Sequence, residues 1–274
     1  METPENEISD ALSIDRAETA PRPAAVAPAW HTVLLLVFIL FVSIVGVYRH
    51  PGAGRVNRLA TYGVTAALEV TMLSWVALGV WLRKIPLRSL FGYIPRDIRS
   101  IALDMGIALV FWIGSLMVLA TVAVAWLGVE AVVLHKPIQV HTGKVLPPDP
   151  DQQKAVRAVT QLAPSNGREI AAWMLLCLLV GVVEELVFRG YLQRQFIAWG
   201  RGSAAAGVVF SALAFGSAHG YEGVRNMFLL SVFGALFSLL ALFRKSLRAG
   251  IFAHSWHDLV AGLTLALLHS RHLV

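Results

Sequence analysis

The feature that most constrains the fold is a series of seven apolar runs, each about as long as a helix that crosses a lipid bilayer. A helix of about 20 mostly apolar residues spans the hydrocarbon core of roughly 30 Å. The alternation of apolar and polar residues that marks a membrane β-barrel is absent. The sequence therefore predicts an all-α, polytopic transmembrane helical bundle of about seven spans, with six to eight compatible with the pattern. The runs cover about residues 32–48, 59–82, 106–129, 170–196, 203–219, 226–243 and 249–268.

Composition and charge agree with this class and say where the chain resides. Apolar residues make up 57% of the chain and charged residues 15%, against about 45–50% and about 25% in soluble domains. The net charge of +6 is explained by basic loops, which lie on the cytoplasmic side of a membrane, so no nucleic-acid partner is predicted. The loops predict a cytoplasmic N-terminus and, with seven spans, an outside C-terminus. A bacterial inner (plasma) membrane is the expected location.

The polar segments divide the chain into four regions. Residues 1–29 are predicted to be a disordered acidic tail, and residues 30–129 a three-helix membrane region. A polar loop follows at 130–167, in which Gln152 to Gln161 could form an amphipathic helix. Residues 168–274 form the last region, a membrane domain that holds most of the ionisable side chains within apolar runs.

Ionisable groups in membrane helices are costly and therefore point to function. Glu184 and Glu185 follow an uncharged run, and Arg189 comes one turn later. The spacing of four residues places Glu185 and Arg189 on one helix face, where the guanidinium can hold the carboxylate ionised. Glu184 is left free and is the better candidate for a general base. The alternative is that both acids belong to a structural ion-pair network.

Two further clusters lie within the next hundred residues. Phe215 and His219 share one face of the fifth run, while His254 and Asp258 are separated by one turn at the start of the seventh. An aspartate one turn from a histidine can orient the imidazole or join it as a metal ligand. The structural alternatives are an interfacial histidine and a polar helix start.

Together these motifs resemble the CPBP family of intramembrane proteases, also called the Abi or type II CAAX prenyl protease-like family. The resemblance covers about residues 168–268, and residues 1–167 show no comparable match. It rests on Glu184-Glu185-x-x-x-Arg189, then Phe215-x-x-x-His219, then His254-x-x-x-Asp258, with the extended form Glu-Glu-Leu-Val-Phe-Arg-Gly-Tyr-Leu-Gln at 184–193.

The resemblance implies an endopeptidase that cleaves a membrane-embedded peptide or a lipid-modified protein. By position, Glu184 would activate water with the help of His219, and His254 and Asp258 would stabilise the oxyanion. Glu185, Arg189 and Phe215 would support these groups. The resemblance implies nothing about the oligomeric state.

Two mechanisms fit these residue types, one without a cofactor and one with Zn²⁺. In the first, Glu184 and His219 deprotonate water and His254 donates to the oxyanion. In the second, metalloprotease mechanism, a zinc ion is held by a set drawn from His219, His254, Asp258 and Glu184. The zincin motif H-E-x-x-H is absent, which favours the metal-free version.

Asp258 departs from the pattern of many relatives, which have asparagine at the corresponding position. An asparagine amide can donate to an oxyanion, whereas an ionised aspartate only accepts hydrogen bonds. Asp258 is therefore expected to orient His254, bind a cation or stay protonated.

The geometry of the fifth span also raises a difficulty. The sixteen residues from Ser203 to His219 extend roughly 24 Å, which would place His219 and His254 near opposite sides of the membrane. A short helix or a break at Gly216, Gly220 or Gly223 would reconcile this.

Two other classes of function are compatible with buried acids and histidines. One is a proton- or ion-coupled transporter, in which these groups relay protons; the other is a non-catalytic immunity or scaffold protein. Glu69, which lies in the middle of the second run without a basic neighbour, is expected to face a cavity, and Asp104 is expected to be interfacial.

Overall fold

The computed structural model describes residues 23–48, 57–93, 97–133, 135 and 162–270. Every predicted run is helical, so the all-α fold and the polytopic helical bundle are confirmed. Six of the seven helices are long and apolar enough to cross a membrane, and the fifth has only 15 residues. The helices are α1 Ala29–Tyr48, α2 Arg58–Leu82, α3 Ile98–Val132, α4 Gly167–Trp199, α5 Ala204–Ala218, α6 Val224–Arg244 and α7 Arg248–Ser270.

Four helices begin where a polar side chain caps them. The side chains of Asn57, Asp97, Asn166 and Ser203 each accept a hydrogen bond from the backbone N–H three residues on, at 2.8–3.2 Å. Such caps satisfy donors that the first turn leaves free. The Ser100 N–H holds the pKa of the exposed Asp97 carboxyl below its usual range. The cap at Asp97 also explains why α3 begins well before residue 106.

The centre of the bundle is α4, which widens in its middle to a π-helix at Glu185–Leu192. All eight residues of this π-segment are buried. The backbone N–H of Gln193 donates to the carbonyl of Phe188, and the Ser211 hydroxyl from α5 donates to the same oxygen at 2.7 Å. The sequence predicts a regular helix here, whereas π-turns occur mainly at functional sites.

The depth at which α5 begins removes the geometric difficulty seen in the sequence. The turn between α6 and α7 packs beside Gly190, where an added Cβ would lie 3.3 Å from the Leu247 side chain. α4 continues from Gly190 to Trp199, roughly 13 Å further along its axis. Because α5 begins after Trp199, it starts well beyond the turn between α6 and α7. Its 15 residues then rise about 22 Å and end at the depth of α4's glutamates.

Two glycines allow the chain to turn back after α5. A short 3₁₀ segment, Gly220–Glu222, follows the helix, and Gly223 has φ +93°, a conformation that side chains rarely adopt. The Gly220 N–H donates to Ser43 of α1 at 3.0 Å. Gly216 does not break the helix but lies against Ser231 of α6.

Ion pairs fix the end of the bundle at which α7 begins. Asp104 of α3 is 2% exposed and pairs with Arg244, 2.7 Å away, and with Arg248. The backbone of Tyr93 donates to Lys245, and that of Leu247 to Phe91, at 2.9 and 3.0 Å. Asp104 is therefore a buried structural group that ties α3 to the turn between α6 and α7.

The N-terminal segment is fixed on the bundle earlier than the sequence suggested. Val26 and Ala27 are 7% and 0% exposed, and both backbone N–H groups donate to the side-chain oxygen of Gln195. Val26 and Ala27 are therefore ordered, although the disordered tail was expected to reach residue 29. Residues 1–22 of that tail, most of the 130–167 loop and the helix expected at Gln152 to Gln161 lie outside the described residues.

Candidate active site

The ion pair expected within α4 is present and completely buried. The guanidinium of Arg189 donates to Glu185 at 2.9 Å, and each side chain is 1% exposed. A second Arg189 nitrogen donates to the Gly234 carbonyl at 3.2 Å. The guanidinium carbon also lies 4.5 Å from the ring centre of Phe215 and 5.1 Å from that of Phe237. Glu185 and Arg189 therefore form a compensated buried pair that links α4 to α5 and α6.

Glu185 has a second partner, which the sequence did not indicate. The Nδ1 atom of His254 lies 3.1 Å from the Glu185 oxygen that binds Arg189. A proton on Nδ1 donates to this carboxylate, which fixes the imidazole orientation and leaves Nε2 facing away. Asp258 was expected to orient His254, bind a cation or stay protonated; in the structure, Glu185 is the carboxylate that lies closest to a His254 ring nitrogen.

The free nitrogen of His254 faces the other two predicted carboxylates. Nε2 lies 3.5 Å from Glu184 and 3.9 Å from Asp258. The Glu184 side chain is 13% exposed, against 1% for Glu185. The tandem glutamates thus differ, since one is sealed in an ion pair and the other borders the site.

His219 approaches this group from the end of α5. Its Nδ1 lies 2.9 Å from the Phe215 carbonyl and donates to it as N–H, so Nε2 is the ring nitrogen left for a second partner. The Phe215 ring lies between the two histidines, with centroids 4.9 Å from His219 and 6.0 Å from His254. Among the described residues, no hydrogen bond or ion pair joins His219 to Glu184.

Three residues join the surroundings of the site without having been predicted there. Glu69 of α2 interacts electrostatically with Glu184 and Asp258. Tyr221 interacts with the same two carboxylates, and Glu222 interacts with Asp258. The signal for Glu69 was its isolation in an apolar run. Tyr221 and Glu222 carry no comparable signal, because their position depends on the 3₁₀ turn after α5.

The arrangement of these acids and histidines bears on the possible zinc site. Within the described part of the chain, no group of three or more His, Cys, Asp or Glu side chains is placed to hold a metal ion. The metal site predicted from His219, His254, Asp258 and Glu184 therefore stays a prediction. The carboxylates can accept protons and hydrogen bonds, and the imidazoles can exchange protons and donate hydrogen bonds.

Comparison with known proteins yields one match. Residues 166–260 match the family described as type II CAAX prenyl endopeptidase Rce1-like. The matched segment begins at the cap of α4 and includes all four predicted catalytic residues. No curated protein and no solved structure matches the chain. Together with the apolar helices, the match supports an integral membrane protein with CAAX-type protease chemistry at the level of the family. Residues 166–260 thus match the Rce1-like type II CAAX prenyl endopeptidase family, as the order of the three motifs predicts.

Proposed function

We propose that this protein is an intramembrane endopeptidase that hydrolyses a peptide bond in a membrane-embedded or lipid-anchored protein. One observation carries the proposal: Nε2 of His254 lies 3.5 Å from Glu184 while Nδ1 is held by Glu185. An oriented imidazole beside a partly exposed carboxylate can activate water and stabilise the charge that then develops.

Glu184 is the proposed general base for the attacking water. Its carboxylate has no basic partner except His254 among the described residues, so it can accept a proton. His219 assists through Nε2, because its Nδ1–H is committed to the Phe215 carbonyl. A water held between Glu184 and His219 would attack the scissile carbonyl carbon.

His254 is the proposed donor to the tetrahedral oxyanion. A proton on Nε2 lies between Glu184 and Asp258, and their negative charge favours the protonated ring. Asp258 cannot itself donate when it is ionised. The proposed role of Asp258 is to keep the proton on His254. The protonated His254 would then donate to the oxyanion, as the asparagine amide of many relatives can.

The proton taken from water completes the reaction. Glu184 transfers it to the amide nitrogen, the C–N bond breaks, and the products are a carboxylate and an amine. No step of this proposal uses a metal ion. The proposed location is a bacterial inner membrane with the N-terminus in the cytoplasm, where the lipid bilayer and the substrate are the partners.

The experiment uses the full chain in lipid nanodiscs and a quenched fluorescent peptide. The probe is farnesylated and ends in Cys-aliphatic-aliphatic-X, and the same peptide without the farnesyl group is its control. We expect cleavage by the natural protein and a fall in kcat of about 10²–10⁴-fold for Glu184→Gln. The matched control, Glu130→Gln in α3, should cleave at the natural rate. An equal rate for Glu184→Gln would overturn the assignment.

A chelator separates the two mechanisms. We expect activity to persist after treatment with 1,10-phenanthroline, with the non-chelating 1,7-isomer as the control. A loss that only the chelator causes and that added Zn²⁺ restores would replace the metal-free mechanism with the zinc mechanism.

A further inference from the structure

Glu69 is a buried acid that the proposed mechanism does not use. It lies in the middle of α2, outside the segment that matches the family, and is 5% exposed. One of its carboxylate oxygens has no hydrogen-bond partner among the described residues. An unpartnered carboxylate inside a membrane protein is costly, so a ligand for this oxygen is the natural explanation.

The packing of α2 places Glu69 at the active site. The rings of Tyr62 and Trp173 lie 5.6 Å apart, and further along Gly79 packs against His31, which bonds Tyr191 at 2.8 Å. α2 and α4 therefore run side by side in the same direction. Along this direction, Glu69 lies about one helical turn before the level of Glu184. This agrees with its electrostatic interaction with Glu184 and Asp258.

The charges around Glu69 show what kind of ligand would fit. Glu69, Glu184 and Asp258 bring three carboxylates together, and in the described structure no lysine or arginine pairs with any of them. Arg189 is committed to Glu185, and His254 is the one imidazole in ion-pair range of Glu184 and Asp258. When these carboxylates are ionised, the site has an excess of negative charge, which favours a positively charged substrate group.

We propose that Glu69 binds a basic side chain of the substrate, so that the enzyme prefers a peptide with lysine or arginine next to the cleaved bond. This proposal rests on the endopeptidase function and adds its substrate class. Glu69 acts here on specificity, while Glu184 performs the chemistry. The N-terminal helices would then supply substrate selection to a catalytic unit formed by the later helices.

The test compares two farnesylated peptides that differ at one residue beside the cleaved bond. One carries lysine and the other norleucine, which has the same carbon chain without the charge. Binding to the full chain in nanodiscs is measured by fluorescence anisotropy, and cleavage is measured separately. The variants are Glu69→Gln, the charge-conserving Glu69→Asp, and Thr71→Val as a control on the exposed face of the same helix.

We expect the natural protein and Thr71→Val to bind the lysine peptide at least about tenfold more tightly than the norleucine peptide. Glu69→Gln should remove this ratio, and Glu69→Asp should keep part of it. An unchanged ratio in Glu69→Gln would overturn the proposal. A loss of cleavage that is equal for both peptides, with the binding ratio kept, would also overturn it and would point to a proton held by Glu69. If the binding ratio behaves as expected but neither peptide is cleaved, the endopeptidase function fails while the site for a basic group stands.

Discussion

The buried pair of Glu185 and Arg189 makes a quantitative prediction about stability. Replacing Arg189 by methionine removes the 2.9 Å ion pair, the bond to Gly234 and the cation contact with Phe215. Glu185, which is 0% exposed, then keeps only His254 as a hydrogen-bond partner. Stranding one member of a buried pair costs about 3–5 kcal/mol, so Arg189→Met should lower the free energy of unfolding by that amount.

The double variant Glu185→Leu/Arg189→Met isolates the cause. The cation contact, about 2 kcal/mol when desolvated, is lost in both variants and cannot separate them. The double variant contains no stranded carboxylate, so it should be more stable than Arg189→Met by at least about 1 kcal/mol. Replacing both members of a buried ion pair by apolar side chains often changes the stability little, whereas removing only one member lowers it strongly.

The assay is unfolding of the full chain in mixed micelles with increasing SDS, followed by circular dichroism. Arg88→Met is the control, because this guanidinium is exposed and the expected change is within about 0.5 kcal/mol. The single variant Glu185→Leu completes the comparison. If the stability losses of Glu185→Leu and Arg189→Met simply added up in the double variant, the reasoning would be refuted, since the members of a buried pair are coupled.

Three further predictions concern packing, structure and chemistry. Gly181→Ala should destabilise the protein by about 1–3 kcal/mol, because its Cβ would press on α7 at Ser255; Gly114→Ala, with nothing within 4 Å of the added atom, is the neutral control in the same SDS unfolding assay. Asp104→Asn should cost about 3 kcal/mol, measured likewise, because two arginines lose the charge of a buried carboxylate; a neutral result would show that the pairs are weak. Asp258→Asn should lower kcat about tenfold with KM unchanged, and a faster variant would mean that an oxyanion donor is needed at this position.

The sequence predicts the helices well, because their signal is local. Apolar runs and polar caps such as Asn166 and Ser203 determine where a helix can begin. The contact between Glu185 and Arg189 is equally local, since four residues make one turn. The predicted ion pair could therefore be derived without knowledge of any other helix.

The features that the sequence did not reveal depend on contacts between helices. The π-segment involves a hydrogen bond from Ser211 to Phe188, across twenty-three residues. The partner of His254 is Glu185 on another helix, sixty-nine residues away, whereas the sequence suggested Asp258 in the next turn. The sequence indicates the partner on the same helix, because the spacing of two side chains on one helix can be derived without knowledge of packing, whereas the contact with Glu185 cannot.

The same contacts explain why a tandem glutamate suits this site. Glu185 accepts from both Arg189 and His254, so one carboxylate closes the buried side of α4 and sets the direction of the imidazole. That direction turns Nε2 of His254 toward Glu184. If Glu185 were absent, the ring of His254 would lose its anchor, and Glu184 would be the nearest available partner for Arg189. In the proposed mechanism, Glu185 thereby leaves Glu184 free to take a proton from water, and the second glutamate is the condition for the first to act.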